Sequence, residues 1–230
     1  MTSPFAPPAD LAPTCESAFG EHLPQAVAYA ELLAHEGTEW GLIGPRETDR
    51  LWDRHLLNSL CVAALIPTRA RVADIGSGAG FPGLPLAIVR PDLAIDLVEP
   101  MQRRVRFLEL CVARLGLESV HVVRARAEEY HPRPGVDIVT CRAVSAVAAL
   151  LDMLSHLIPP ATLLAIKGER AAAEIDSAHD QLHRHGLTAT ITEQTTAAYR
   201  LGTVVAIQPR ARKAAPTPSR RPPRGAQPAT

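Results

Sequence analysis

Arg71-Val72-Ala73-Asp74-Ile75-Gly76-Ser77-Gly78-Ala79-Gly80-Phe81-Pro82-Gly83 reads as a strand that ends in a glycine turn and opens a helix. Val72 to Ile75 are mostly apolar, as in a strand buried on both faces. The alternate glycines Gly76, Gly78 and Gly80 let the backbone turn sharply and approach a ligand where a Cβ would obstruct. Pro82 suits a first helical turn, because its φ is already helical and its missing N–H would find no partner there. Free N–H groups at such a helix start hold a carboxylate or another anionic group. The rest of the chain is placed relative to this turn.

From Arg69 onward strands and helices alternate, which predicts an α/β fold with a mostly parallel sheet and helices on both faces. Seven strands are expected, at 71–75, 94–99, 120–123, 136–141, 163–166, 188–192 and 203–207. Helices are expected at about 82–89, 101–115, 145–157 and 169–185. Upstream, an amphipathic helix over 25–36 is stopped by Gly37, and Thr48 or Asp49 caps a second that runs to about Leu65. The expected organisation is a poorly ordered segment 1–20, a helical cap 21–66, a main domain 67–208 and a proline- and arginine-rich tail 209–230 that is too polar to fold alone.

At 47% hydrophobic residues the composition is that of a globular protein, and no apolar run is long enough to span a bilayer. The first residues lack the basic start and apolar core of a signal peptide. Cys15, Cys61, Cys111 and Cys141 are widely spaced and form no metal-ligand pairs, so reduced thiols in a cytoplasmic protein are the simplest expectation; a monomer is expected as well. The zero net charge hides an asymmetry. Setting aside the six basic residues at 210, 212, 213, 220, 221 and 224 leaves 18 basic against 24 acidic residues, a body near −6. A basic tail on an acidic body points to a polyanionic partner.

Two cofactors fit the glycine turn. Gly78-x-Gly80-x-x-Gly83 satisfies the dinucleotide fingerprint, so a nicotinamide oxidoreductase is one reading. Asp74-x-Gly76-x-Gly78-x-Gly80 resembles the first motif of the Rossmann-like S-adenosylmethionine methyltransferases, in which the acid helps order the turn and the methionine end. Glu99, about twenty residues past the turn, is placed to accept hydrogen bonds from both ribose hydroxyls of an adenosine, which both cofactors carry. In Arg126-Ala127-Glu128-Glu129 a backbone N–H and a carboxylate are placed to reach the adenine edge; the alternative is a charged first helical turn.

Arg142 ends the fourth strand, near the transferred group; the alternative is a structural ion pair with Asp74 or Glu128. Cys141 reads as an apolar filler. Asp53, Arg54, His55 and Asn58 are polar residues in an otherwise apolar helix, placed to line the mouth of a cofactor cleft, although His55 alone would read as a core group. Lys167 is either a phosphate or base contact or an ordinary strand-end lysine. His179 and His183, at i and i+4, read as a solvated helix face rather than a metal site.

Taken together, the chain resembles the RsmG (GidB) family of bacterial 16S ribosomal RNA guanine-N7 methyltransferases over roughly residues 25–208. The resemblance rests on Arg54-His55-Leu56-Leu57-Asn58-Ser59-Leu60, on Asp74 to Leu86, and on Arg103-Arg104-Val105-Arg106-Phe107-Leu108. Arg126-Ala127-Glu128-Glu129, Arg142-Ala143 and Lys167-Gly168 follow in matching order. It implies a class I methyltransferase fold, S-adenosyl-L-methionine as cofactor, 16S rRNA or a small-subunit precursor as partner, and cofactor contacts from Gly76, Phe81, Ala127, Glu128 and Arg142. Gly78, from the turn, and Glu99 join that expected set. Gly41-Leu42-Ile43-Gly44 departs from the asparagine-leucine-threonine stretch common in the family. Guanine N7 carries no proton, so its methylation needs no general base, and none is evident here. Arg103, Arg104, Arg106 and the tail are candidate phosphate contacts. A small-molecule methyltransferase of the same fold remains the second reading.

Overall fold

The computed structural model describes residues 3–196 and 199–210. Seven strands, β1 (Arg71–Ile75), β2 (Ala94–Val98), β3 (Val120–Val123), β4 (Ile138–Arg142), β5 (Thr162–Lys167), β6 (Leu187–Thr195) and β7 (Arg200–Pro209), form one sheet in the order β3-β2-β1-β4-β5-β7-β6. β1 to β5 pair in parallel, and β7 runs antiparallel to both β5 and β6. The order reverses between β1 and β4, so the connections leaving their carboxyl ends part and open a crevice there.

Alternation along β1 sorts its side chains between two cores. Val72 packs on one face, with the N-terminal helices and with α3 (Gly83–Val89) and α4 (Gln102–Leu115); Ala73 and Ile75 pack on the other, with α5 (Val147–Leu154), α6 (Ala171–Ser177) and α7 (His179–Arg184). α4 shows why its sequence is helical: Val105, Leu108, Cys111 and Leu115 recur on one buried stripe, while Arg103, Arg106 and Arg114 face solvent.

The N-terminal expectations need correction. Residues 3–20 are not a featureless lead: α1 (Ala12–Phe19) starts with Pro13 in its first turn and buries Cys15 and Phe19, the latter edge-on to Trp52 at 5.9 Å. α2 (Leu23–Leu32) widens into a π turn over Leu33–Gly37. The second cap helix is three unlike pieces, a 3₁₀ stretch Pro45–Arg50, a π stretch Leu51–Leu57 and a 3₁₀ stretch Leu60–Leu65. It opens at Pro45, with Gly44 rather than Thr48 or Asp49 in the N-cap position. The helix expected over 169–185 breaks at Ala178 into α6 and α7. Of the basic tail 209–230, residues 211–230 lie outside the described residues.

Arg90 fastens the cap to the sheet. Its guanidinium holds Asp92 at 2.7 and 2.9 Å and donates to the carbonyls of Ala63, Ile66 and Pro67. Charge-assisted bonds of this kind are individually worth about 1.5–3 kcal/mol. Arg90→Ala should therefore lower the unfolding free energy in urea by about 2 kcal/mol and leave binding at the crevice unaltered.

Candidate functional site at the β1–β4 crevice

The glycine turn is held from beneath. Asp74 is fully buried; one carboxylate oxygen accepts the Thr140 hydroxyl at 3.0 Å and the other accepts the Gly83 N–H at 3.1 Å. Ser77 donates to the Asp74 main-chain oxygen at 2.9 Å. The acid thus ties the end of β1 to β4 and to the start of α3. It works beneath the turn and is not among the residues that line the cavity above. A Cβ at Gly83 would fall 2.3 Å from a Leu97 methyl and 2.8 Å from Asp74 Oδ2, so the third glycine serves close helix–strand packing. Gly80 sits at φ +109, where a Cβ would lie 2.4 Å from a Leu84 methyl. From the cap, Tyr29 donates its hydroxyl to the Ala79 carbonyl at 2.7 Å and so ties the cap to the turn.

Above the turn lies a cavity of about 550 Å³, within the roughly 300–1,000 Å³ usual for small ligands. Gly76, Gly78, Phe81, Glu99 and Arg142 all line it. Glu99, just past β2 and 1% exposed, accepts the Gly78 N–H and the Met101 N–H, each at 3.0 Å, with Arg104 at 3.6 Å. Those bonds aim the carboxylate and leave lone pairs for a ligand's hydroxyls. Arg104, expected among phosphate contacts, faces this cavity. Ala127 and Glu128 form a 3₁₀ turn beyond β3 and are not among the lining residues.

Arg142 is not in an ion pair with Asp74 or Glu128. Its guanidinium lies 4.4 Å over the Phe81 ring and donates to the Arg54 carbonyl at 3.1 Å and to His55 Nδ1 at 2.9 Å. His55 in turn stacks on Phe81, with centroids 4.9 Å apart and planes 23° from parallel. Arginine only donates, so His55 Nδ1 must accept, and its proton sits on Nε2 facing Glu47 Oε2 at 2.8 Å. Burial and then Arg142 lower the His55 pKa against the opposing pull of Glu47, which keeps the ring neutral. Arg54 holds the other Glu47 oxygen at 3.1 Å. Ala143, next along, takes φ +54, a strained value that marks this end of β4.

Beyond this wall opens a second cleft of about 980 Å³. Asp53, Arg54, His55, Asn58 and Lys167 line it. The polar cap residues thus sit at a mouth beside the crevice, whereas Lys167 is tied to Glu174 at 2.9 Å and to the Ser145 carbonyl. Cys141 is buried, and burial pushes its thiol up to about 12, which suits a filler. His179 and His183 are exposed. Sequence reasoning missed Glu47, which sits in a short Pro-Arg-Glu turn without a pattern, and Tyr199, whose one signal is an aromatic beside a strand start.

Comparison with known proteins fits this geometry. The model of the family described as rRNA small subunit methyltransferase G (GidB) matches residues 22–201. A protein of Thermobifida fusca named ribosomal RNA small subunit methyltransferase G is 53% identical over 167 residues, covering 72% of this chain and 70% of that one. Its namesake in Mycobacterium sp. strain JLS is 51% identical over 185 residues, covering 79% and 80%. A crystal structure of a SAM-dependent methyltransferase from Aquifex aeolicus shares the fold, with a TM-score of 0.51, 21% identity and coverage of 72% and 98%.

Proposed function

The chain belongs to the GidB family, rRNA small subunit methyltransferase G, and from that premise we propose that its target atom is N7 of a guanine in 16S ribosomal RNA. It is an S-adenosylmethionine-dependent enzyme that methylates RNA of the small ribosomal subunit. The nicotinamide and small-molecule readings give way to that membership.

The observation that carries N7 is the state of His55. Both of its ring nitrogens are committed, one to Arg142 and one to Glu47. The histidine at the wall is therefore not free to remove a proton, which suits a nucleophile that has none to lose. An exocyclic amine would shed a proton on methylation, and no Pro-Pro-aromatic run follows β4, where Ala143-Val144-Ser145 stands. N7 lies in the deep groove of an RNA helix, so the target must be a splayed or unpaired base.

The cavity fits the cofactor through the chain's own residues. The open arc at Gly76 and Gly78, with φ of +71 and +61, leaves backbone where a methionine moiety can lie against it. Glu99 is aimed at the ribose, Phe81 and Arg142 close the inner wall, and Ala127 and Glu128 would reach the adenine from β3. When bound, the cofactor supplies an electrophilic methyl on a positively charged sulfur. The chain's task is to align that methyl with N7 and exclude water. Cytoplasmic action as a monomer is supported by four free, buried cysteines and by the fact that, among the described residues, Met101 and Ile191 are the large apolar side chains that stand exposed.

Small subunits from a strain lacking the protein, incubated with it and S-adenosylmethionine, should gain one N7-methylguanosine per 16S molecule by nucleoside mass analysis. Methyl found on another atom would remove the N7 assignment and leave the methyltransferase standing.

A further inference from the structure

We propose that the 980 Å³ cleft seats the target guanosine and that Glu47 is the carboxylate that faces its purine ring as N7 takes the methyl. This deepens the N7 reading above and rests on it. In-line transfer needs the nucleophile and the methyl on two sides of one opening. Glu47, His55, Arg142, Ala143 and Val144 line both the cofactor cavity and this cleft, so the two spaces meet at that wall.

Charge selects Glu47 within the wall. The purine lone pair forms the N7–CH₃ bond, the methyl–sulfur bond breaks with its electron pair left on sulfur, and no proton moves. One unit of positive charge therefore passes out of the cofactor cavity and into the base. Arg54 and Arg142 oppose its arrival. Among the described residues, Glu47 is the acid common to both linings; Glu99 belongs to the cofactor cavity alone, and Asp53, Glu169 and Glu174 to the cleft alone. Glu47 is held in place by His55 and Arg54, and each of its oxygens keeps a lone pair free. The same bonds lower its pKa and keep it ionised. A fixed charge already in position stabilises developing charge without reorganisation.

The rest of the cleft suits an unstacked nucleotide. Tyr199, partly buried against the core, supplies an aromatic surface. Arg50 and Arg200, whose side chains are each 55% exposed, stand where flanking phosphates can be met.

Glu47→Gln keeps the shape and removes the charge. Single-turnover methylation of hypomethylated small subunits should slow about 100-fold, with Glu47→Asp recovering part of the rate. Affinity for S-adenosylhomocysteine by calorimetry should hold within about threefold, because the cofactor cavity keeps its shape. Tyr199→Ala should raise KM for the subunits about tenfold, and Tyr199→Phe should restore it, since stacking needs the ring and not the hydroxyl. A full rate in Glu47→Gln, or equal losses of rate and S-adenosylhomocysteine affinity, overturns the role of Glu47. An unchanged KM in Tyr199→Ala moves the base out of the cleft. Failure of the function itself is distinct, since wild-type protein would then leave no N7-methylguanosine at all.

Discussion

An Arg142→Ala enzyme should transfer methyl at least about 100-fold more slowly than the parent and still fold. Arg142 is the post between the two cavities. Its guanidinium closes a three-way stack with Phe81 and His55 and spans to the Arg54 carbonyl. Removing it joins the cavities, lets water reach the methyl and frees His55 Nδ1 from its donor, so Glu47 loses a fixed neighbour. The folding cost is limited: two hydrogen bonds and a cation–π contact at a solvent-reaching edge amount to about 3–4 kcal/mol. Arg142→Lys separates charge from shape. An ammonium keeps the charge but cannot lie flat on Phe81 while bonding both Arg54 and His55, so about a tenfold loss should remain. Urea melts and single-turnover rates on the same preparations check both variants. Wild-type turnover in Arg142→Ala would take the residue out of the site.

What the sequence carried was local, and what it hid was brought from afar. Asp74 to Gly83 is one strand, one turn and one helix start, and the positive φ at Gly76, Gly78 and Gly80 is a local demand that the glycine spacing records. Glu99 and Arg142 were legible for a related reason: each ends a parallel strand beside that turn, and topology then places both at the crevice. Glu47 had no such address. It reaches the wall from the 3₁₀ stretch Pro45–Arg50, where Arg54 and His55 of the following π stretch hold its two oxygens. The apolar stripe of Leu51, Leu56 and Leu60 looks like an ordinary helix, since its pattern records burial and not the pitch of the backbone. Residues 12–19 were obscured by proline- and alanine-rich composition, although Phe19 there finds Trp52 across the cap. Tyr199 reaches the cleft from the β6–β7 end of the sheet, about 150 residues after Glu47, and only tertiary packing sets the two on one cleft.

Asp74→Asn should change how stability depends on pH between about 4 and 6.5. Burial is the main cause that raises the Asp74 carboxyl from 3.8 to about 6, opposed by Ser77, Thr140 and Gly83. Between those values the folded protein retains a proton at Asp74 that the unfolded chain has released. The residue therefore favours the fold below about pH 4, and that contribution is lost as pH rises through about 6. A shift near two units corresponds to about 3 kcal/mol at pH 7. Asparagine fits the same space: its oxygen can accept the Gly83 N–H and its amide can donate to Thr140 Oγ1, with no charge to bury. Relative to the parent, the variant should gain stability steadily between pH 4 and 6.5, by up to about 3 kcal/mol, and level off above. Because all other titrating groups are shared, the difference between the two urea-denaturation profiles isolates this one carboxyl. Parallel profiles over that range would mean that Asp74 ionises as an ordinary carboxylate, and that the turn above it is held by a charge the fold bears at no cost.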